Sequence, residues 1–360
     1  MADRAGGRAD GGAGGRADGG AGGRAGGRAL FEIYDEGFAS PTWGGVETAL
    51  WYLVHRLRAR GVSAEFYPQS EGADLDALAA RVERERVDAV FPLVESPLFE
   101  GGQWRRLPGL HARTVRIWHD VSRLADDLTT PPPCPAHGTD APAPGARCTA
   151  EGAHPDAPVR EVFLRELAWT KCFPGRTVIP WAADHVPAKD LRDARGPVVL
   201  QLGKVETPQA ELCLRRLTEA GVPLRIMFAT WSSQGRKARE LVRARAGAGH
   251  AIEVLESYDI RTDWERVFGG ASLFLLPSAF HETFNFAAAE AVQLGVPVAT
   301  LGEGGNLPRF ASVRRGTLDE LLDRVAEGDR DVEPVPRLSM TWEDVAEKYA
   351  DVITEGRRDD

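Results

Sequence analysis

A chain of 360 residues with 43% apolar and 27% charged side chains has the make-up of a globular protein of about two domains. Its net charge of −9 offers no basic field to a nucleic-acid backbone, so no nucleic-acid partner is expected. No apolar run reaches the roughly 18 residues of a membrane helix, no secretory leader is visible, and four cysteines are too few for a disulfide framework; a cytoplasmic location without an integral membrane segment is expected.

Residues 1–28 are low in complexity, and the octapeptide RADGGAGG at Arg8 repeats at Arg16. Lacking large apolar side chains, this tail is expected to be disordered and is set apart from the fold. From Ala29 a strand over 29–35 leads to an amphipathic helix over 46–61 that stops at Gly61. A strand over 63–68, a helix over 74–86 and strands over 88–94 and 114–120 come next. The Pro-rich segment 129–158 is too irregular for strand or helix and reads as an inserted loop.

After the Pro- and charge-rich stretch 177–197, a second alternating series begins. Its strands fall at 196–203, 224–230, 251–256, 271–278 and 297–302, and its helices at 210–221, 235–246, 262–268 and 285–294. Such alternation predicts parallel sheets covered by helices on both faces. The expected organisation is an N-terminal Rossmann-like domain, 29–188, a C-terminal one, 189–340, and a final helix and tail, 341–360. Ligands of such sheets bind beyond the carboxyl ends of the strands, so chemistry is expected in the cleft between the domains.

Gly44 and Gly45 precede a helix, where open N–H groups and the absence of Cβ suit an anion, although a tight turn would use the same residues. His119 and Asp120 end a strand at the cleft: the imidazole can bond a sugar hydroxyl or serve packing, and Asp120 can cap the segment VSRLADD. Glu282 and Glu290 bracket a helix start in HETFNFAAAEA. A cap plus a surface glutamate is the plain alternative, but FNFAAAEAV is too apolar for a solvated face, so Glu290 needs a ligand or a partner. Cys134, His137, Cys148 and His154 carry zinc-compatible side chains at a spacing that matches no standard site, so an unliganded loop is preferred and no metal is expected. Cys172 and Cys213 lie in helix-like segments and read as core.

Taken in order, SPTWGGVETALWYLVHRLRARG, RIWHD, VIPWAADHV, VVLQLGKVETPQA, SAFHETFNFAAAEAVQLGVPVAT, GEGGNLPRF and TWEDVAEKYADVI resemble retaining glycosyltransferases of the GT-B fold, family 4 type. The resemblance spans nearly all of Ala29 to Ile353. It implies two Rossmann-like domains facing across a cleft, with the C-terminal helix returning to the N-terminal domain. It also implies transfer from a UDP-, GDP- or dTDP-sugar, with no further cofactor, to a small-molecule acceptor held near Trp43, Gly44 and the insertion.

By the same resemblance, His119, Lys204 and Glu282 are the catalytic set: His119 beside the donor sugar, Lys204 neutralising the leaving diphosphate and Glu282 binding sugar hydroxyls. Gly44 and Gly45 lie against the donor diphosphate or sugar, the helix start at Thr283, Phe284 and Asn285 holds the diphosphate, and Glu290 accepts from the ribose diol. The sequence departs from the pattern at Trp181 and Ala182, where Asn and Gly are usual, and at Gln209, where a second cation is usual; Arg236 or Lys237 is a conceivable substitute. Loss of that cation keeps open a degenerate relative that binds sugar nucleotide, or a partner enzyme, without transfer. The Arg/Ala/Gly-rich composition points to a GC-rich actinobacterial source; for such a source the resemblance implies secondary metabolism, with aminocyclitol or aminoglycoside antibiotics or other small metabolites as acceptors.

Overall fold

Short apolar runs and amphipathic stretches alternate along this chain, and the architecture follows from how each type buries its apolar face. In a computed structural model the described residues are 26–35, 38, 44–93, 96, 98, 107–119, 160–165, 176–202, 205, 207–228, 233–255, 259–278, 284–301, 309–328 and 332–355, without the side chains of 233–237 and 260–261. Residues 1–25 of the low-complexity tail, the insertion 129–158 with its four zinc-compatible residues, Trp43 and Asp120 lie outside them; the last residues expected in that tail, 26–28, are described, and Arg28 already belongs to the first strand because its backbone pairs with Ser63.

The first half runs β1 (Arg28–Ile33), α1 (Gly45–Ala59), β2 (Ser63–Pro68), α2 (Gln69–Gly72), α3 (Leu75–Glu85), β3 (Ala89–Phe91), α4 (Pro108–Arg113), β4 (Val115–Trp118), β5 (Arg160–Phe163) and β6 (Arg176–Val178). Helix α1 ends where expected, at Gly61, whose φ of +82° is the left-handed turn that glycine adopts without steric cost. Asp74 starts α3 by accepting a hydrogen bond from the Ala77 N–H at 3.0 Å. Strands β5 and β6, of four and three residues, escaped the sequence reading because they lie beside the Pro-rich segment and carry little alternation.

Among the described residues all pairings in this half are parallel, in the orders β2-β1-β3 and β4-β5-β6. A parallel bridge between Val90 and Thr114 joins the two ladders.

The second half runs β7 (Val198–Gln201), α5 (Thr207–Glu219), β8 (Leu224–Met227), α6 (Ser233–Gly247), β9 (Ile252–Leu255), α7 (Ile260–Phe268), β10 (Leu273–Leu276), α8 (Phe286–Gln293), β11 (Val298–Leu301), β12 (Val313–Arg315), α9 (Leu318–Ala326) and α10 (Trp342–Glu355). Its six strands form one parallel sheet in the order β12-β11-β10-β7-β8-β9. The order reverses direction between β10 and β7, which opens the crevice where doubly wound sheets hold ligands. Strands β10 and β11 are buried at every position, as central parallel strands must be when both faces are covered. The sequence reading missed β12 and α9; the latter starts with a capping box between Thr317 and Glu320.

One apolar cluster runs through both halves, including Phe31 and Leu53, Trp181, Phe274 and Ala288, and Trp342 and Tyr349. Helix α10 therefore returns from the end of the chain to the first half, as expected for GT-B. Arg60, just beyond α1, donates to Glu343 and Glu347 of α10. Cys213 is a buried core thiol, as its helical setting implied. Among the described residues no helix is long and apolar enough to cross a membrane.

The first half also buries a carboxyl group. Glu161 on β5 accepts from the Trp118 indole N–H at 2.6 Å, and Arg116 approaches it at 3.8 Å. Burial pushes its pKa up to about 8 against the opposing influence of Arg116. A proton held more tightly by the folded state stabilises fully below the ordinary carboxylate range, and that stabilisation fades as pH rises toward the folded value. Glu161→Gln keeps a neutral group of the same shape. At pH 8.5 it is expected to gain on the parent protein by roughly 4 to 5 kcal/mol, with the difference vanishing near pH 4 to 5. Urea unfolding at both pH values measures this.

Candidate active site

The site is built from two helix starts that lie far apart in sequence. Gly44 is the N-cap of α1 and provides no side-chain acceptor, while the Thr48 N–H and hydroxyl both bond the Gly44 carbonyl, at 3.2 and 3.0 Å. The first-turn N–H groups of α1 therefore carry the partial positive charge of an open helix end. Asn285 is the N-cap of α8, its side chain accepting from the Ala288 N–H at 2.9 Å. Helix α8 thus begins at Phe286, one residue later than the sequence indicated. Helix geometry leaves Phe286 and Ala287 without intrahelical acceptors for their N–H groups.

These two ends meet. A Cβ built on Gly45 would lie 3.2 Å from the Phe286 ring, close enough that the ring would have to give by a few tenths of an ångström, so the two helix starts are near neighbours. The resemblance implies that Gly44–Gly45 and the 283–285 turn face the same donor, the former at its diphosphate or sugar and the latter at its diphosphate. The structure brings Gly45 and Phe286, the neighbour of that turn, into contact.

Glu290 lies one turn into α8, with only 3% of its side chain exposed. Burial raises its pKa, opposed by hydrogen bonding and charge from His185. The partner its apolar surroundings called for is His185, whose Nε2 lies 2.8 Å from Glu290 Oε1. On the other side of the ring, Nδ1 lies 3.2 Å from the Trp342 indole nitrogen. Because an indole N–H only donates, Nδ1 must accept and Nε2 must carry the hydrogen given to Glu290. Asp184 fixes the same corner by accepting from the Trp342 backbone N–H at 2.8 Å.

His185 and Trp342 fall within segments that carry the resemblance, VIPWAADHV and TWEDVAEKYADVI, but nothing in the sequence marks either one for a role. No spacing rule links positions 105 and 157 residues apart, as these two contacts are. The one available signal was the need of a glutamate in an apolar helix for a partner.

His119 follows β4 and stacks on Trp181, centroids 5.6 Å apart at 22°. Trp181 in turn stacks on Tyr349 at 5.6 Å and tilts against Trp342 at 5.7 Å. This accounts for Trp181 at a position where the resemblance led one to expect Asn: the indole is buried and fills the joint between the halves. His119 is thereby linked through Trp181 and Trp342 to the His185–Glu290 pair.

Lys204, Glu282 and Thr283 lie outside the described residues, as do the side chains of Arg236 and Lys237. Phe284 is buried just before the α8 cap, and Gln209 sits half-buried on α5. Among the described residues no cluster of His, Cys, Asp and Glu could hold a metal ion.

No protein-family model matches the chain. A relative from Streptomyces fradiae, UDP-GlcNAc:ribostamycin N-acetylglucosaminyltransferase, is 72% identical over 332 residues, 91% of each chain. Among solved structures, the catalytic domain of starch synthase IV from Arabidopsis thaliana, bound to ADP and acarbose, aligns with a TM-score of 0.58 at 11% identity, covering 92% of this chain and 99% of that one. Sucrose-phosphate synthase from Thermosynechococcus elongatus gives 0.57 at 13%, covering 91% and 94%. Anabaena HepE in complex with UDP-glucose gives 0.52 at 14%, covering 92% and 97%. At such identities these structures speak for the fold alone. Fold and near full-length identity together place the chain in the glycosyltransferases of GT-B type, the family of the Streptomyces fradiae enzyme.

Proposed function

We propose that this glycosyltransferase moves N-acetylglucosamine from UDP-GlcNAc onto an aminoglycoside acceptor of the ribostamycin type, with retention at the anomeric carbon, as family 4 enzymes do. The observation that carries the donor and acceptor is the 72% identity to an enzyme named for that reaction, over 91% of its length.

The geometry supports a nucleotide-sugar site at the same place. Two helix starts lie close together at Gly45 and Phe286, which suits a diphosphate without calling for a metal ion. Glu290 lies one turn behind, where Oε2 is its carboxylate oxygen without a hydrogen bond among the described residues. We assign that oxygen to the ribose diol, Gly44, Gly45, Phe284 and Asn285 to the diphosphate, and His119 to the donor sugar. Lys204, Glu282 and Thr283 keep the roles their resemblance implies: charge neutralisation, sugar hydroxyls and diphosphate.

In this reading the acceptor attacks from the face the diphosphate leaves, and a leaving phosphate oxygen takes the acceptor proton. Backbone N–H groups and Lys204 stabilise the charge that develops on the diphosphate. We retain the division into an acceptor half, 29–188, and a donor half, 189–340, and place the reaction in the cytoplasm.

The test is to incubate purified protein with ribostamycin and, separately, UDP-GlcNAc, UDP-glucose, GDP-mannose and dTDP-glucose. Mass spectrometry should show one N-acetylhexosamine added to the acceptor with UDP-GlcNAc, and the anomeric proton coupling in the product should report an α linkage. Transfer from another donor in preference, or a β linkage, would refute the donor or the retaining assignment respectively.

A further inference from the structure

We propose that His185 is a positioning residue for the donor. Held in its Nε2–H tautomer by the Trp342 indole, it fixes Glu290 through Oε1 so that Oε2 is presented to the nucleotide. This rests on the proposed role of Glu290 in binding the ribose diol.

Three observations lead to it. Both ring nitrogens of His185 are committed, one accepting at 3.2 Å and the other donating at 2.8 Å, so the tautomer is set by geometry. The side chain is fully enclosed, with 0% exposure, and Tyr52 of α1 stacks on it at 4.8 Å and 26°. Finally, the residues in contact come from four separate elements: α1 gives Tyr52, the connection between the halves gives His185, α8 gives Glu290 and α10 gives Trp342.

A carboxylate buried to this degree needs a hydrogen-bond donor to remain an acceptor for ligand. Without one it takes up a proton or turns away, and in either case loses its grip on a diol. His185 supplies that donor, and the indole N–H keeps its hydrogen on the nitrogen that faces Glu290. A second hydrogen on Nδ1 would set two donors against each other. The packing of α10 against α1 is thereby connected to the orientation of a donor-binding oxygen, much as outer hydrogen bonds orient the ligands of a metal.

The experiment compares binding of UDP and of 2′,3′-dideoxy-UDP, which lacks the diol, by titration calorimetry. The variants are His185→Leu, His185→Gln and Glu290→Gln, with Trp342→Phe as a variant that keeps an aromatic ring in the joint but loses the indole N–H together with the pyrrole part of the ring system. His185→Leu should weaken UDP about tenfold or more, with a matching rise in donor KM and a kcat within about threefold, while leaving dideoxy-UDP unchanged. His185→Gln places an amide donor near Nε2 and should recover most of the loss. Trp342→Phe should weaken UDP by a few fold, again sparing dideoxy-UDP.

Equal loss of both nucleotides, or no rescue by glutamine, would show a merely structural His185 and overturn the proposal. If Glu290→Gln weakens UDP but both His185→Leu and Trp342→Phe bind it normally, the positioning role fails while the role of Glu290 stands. If Glu290→Gln itself binds UDP normally, the assignment of Glu290 fails and takes the positioning role with it.

Discussion

Glu290→Gln is expected to raise the donor KM by about 10- to 100-fold, because hydrogen bonds to a charged group contribute about 1.5–3 kcal/mol each and about 1.4 kcal/mol is a factor of ten. Glutamine is isosteric, and its carbonyl can still accept from His185, so the fold should survive. The lost property is acceptance at the second oxygen, where an amide offers donors to a diol that itself donates. The effect should carry a pH signature. Burial holds the Glu290 pKa above the ordinary carboxylate range. As pH falls through that raised value, the carboxylate gains a proton and donor affinity should fall earlier than an exposed glutamate would cause. The glutamine variant should lack that acidic arm. Steady-state kinetics from pH 5 to 8, with UDP-GlcNAc varied at saturating acceptor, would reveal both effects; an unchanged KM removes Glu290 from the donor site.

Trp342→Ala is expected to destabilise the protein by about 3–5 kcal/mol, the range for truncating a buried aromatic side chain. Trp342 is among the largest fully buried side chains, and its ring contacts Tyr52, Trp181 and Phe286, residues from three other segments. It also donates to His185. The ion pairs from Arg60 to Glu343 and Glu347 join the same two helices, but they are partly exposed and should each contribute less than about 1 kcal/mol. Alanine at Arg60 should therefore barely shift the urea midpoint, whereas alanine at Trp342 should shift it strongly. If the two behaved alike, the α10 contact would be electrostatic rather than a packed joint.

The legible part of this protein was the part written in local periodicity. β2 was located residue for residue, and α1 was stopped correctly at Gly61, because a strand's apolar run and a helix's glycine stop are local signals. Both halves read as parallel from the alternation alone, and every strand pairing present among the described residues is parallel. The short strands β5, β6 and β12 were not legible. Runs of three or four residues carry too little pattern, and their neighbours decide their pairing.

The site divided along the same line. The glycines before α1 and the apolar helix holding Glu290 were visible as local oddities, each asking for a ligand or a partner. By itself the sequence determined that two Rossmann-like halves exist, that a Gly-Gly pair precedes the first helix, and that Glu290 could not stand alone. Only the tertiary structure decided that Gly45 meets Phe286, that Trp181 is a packed joint rather than a lost motif, and that His185 and Trp342 answer the need of Glu290. The reason is physical. Periodicity and caps are set by neighbours three or four residues away, whereas a buried charge is satisfied by whichever donor the packed chain brings within about 3 Å.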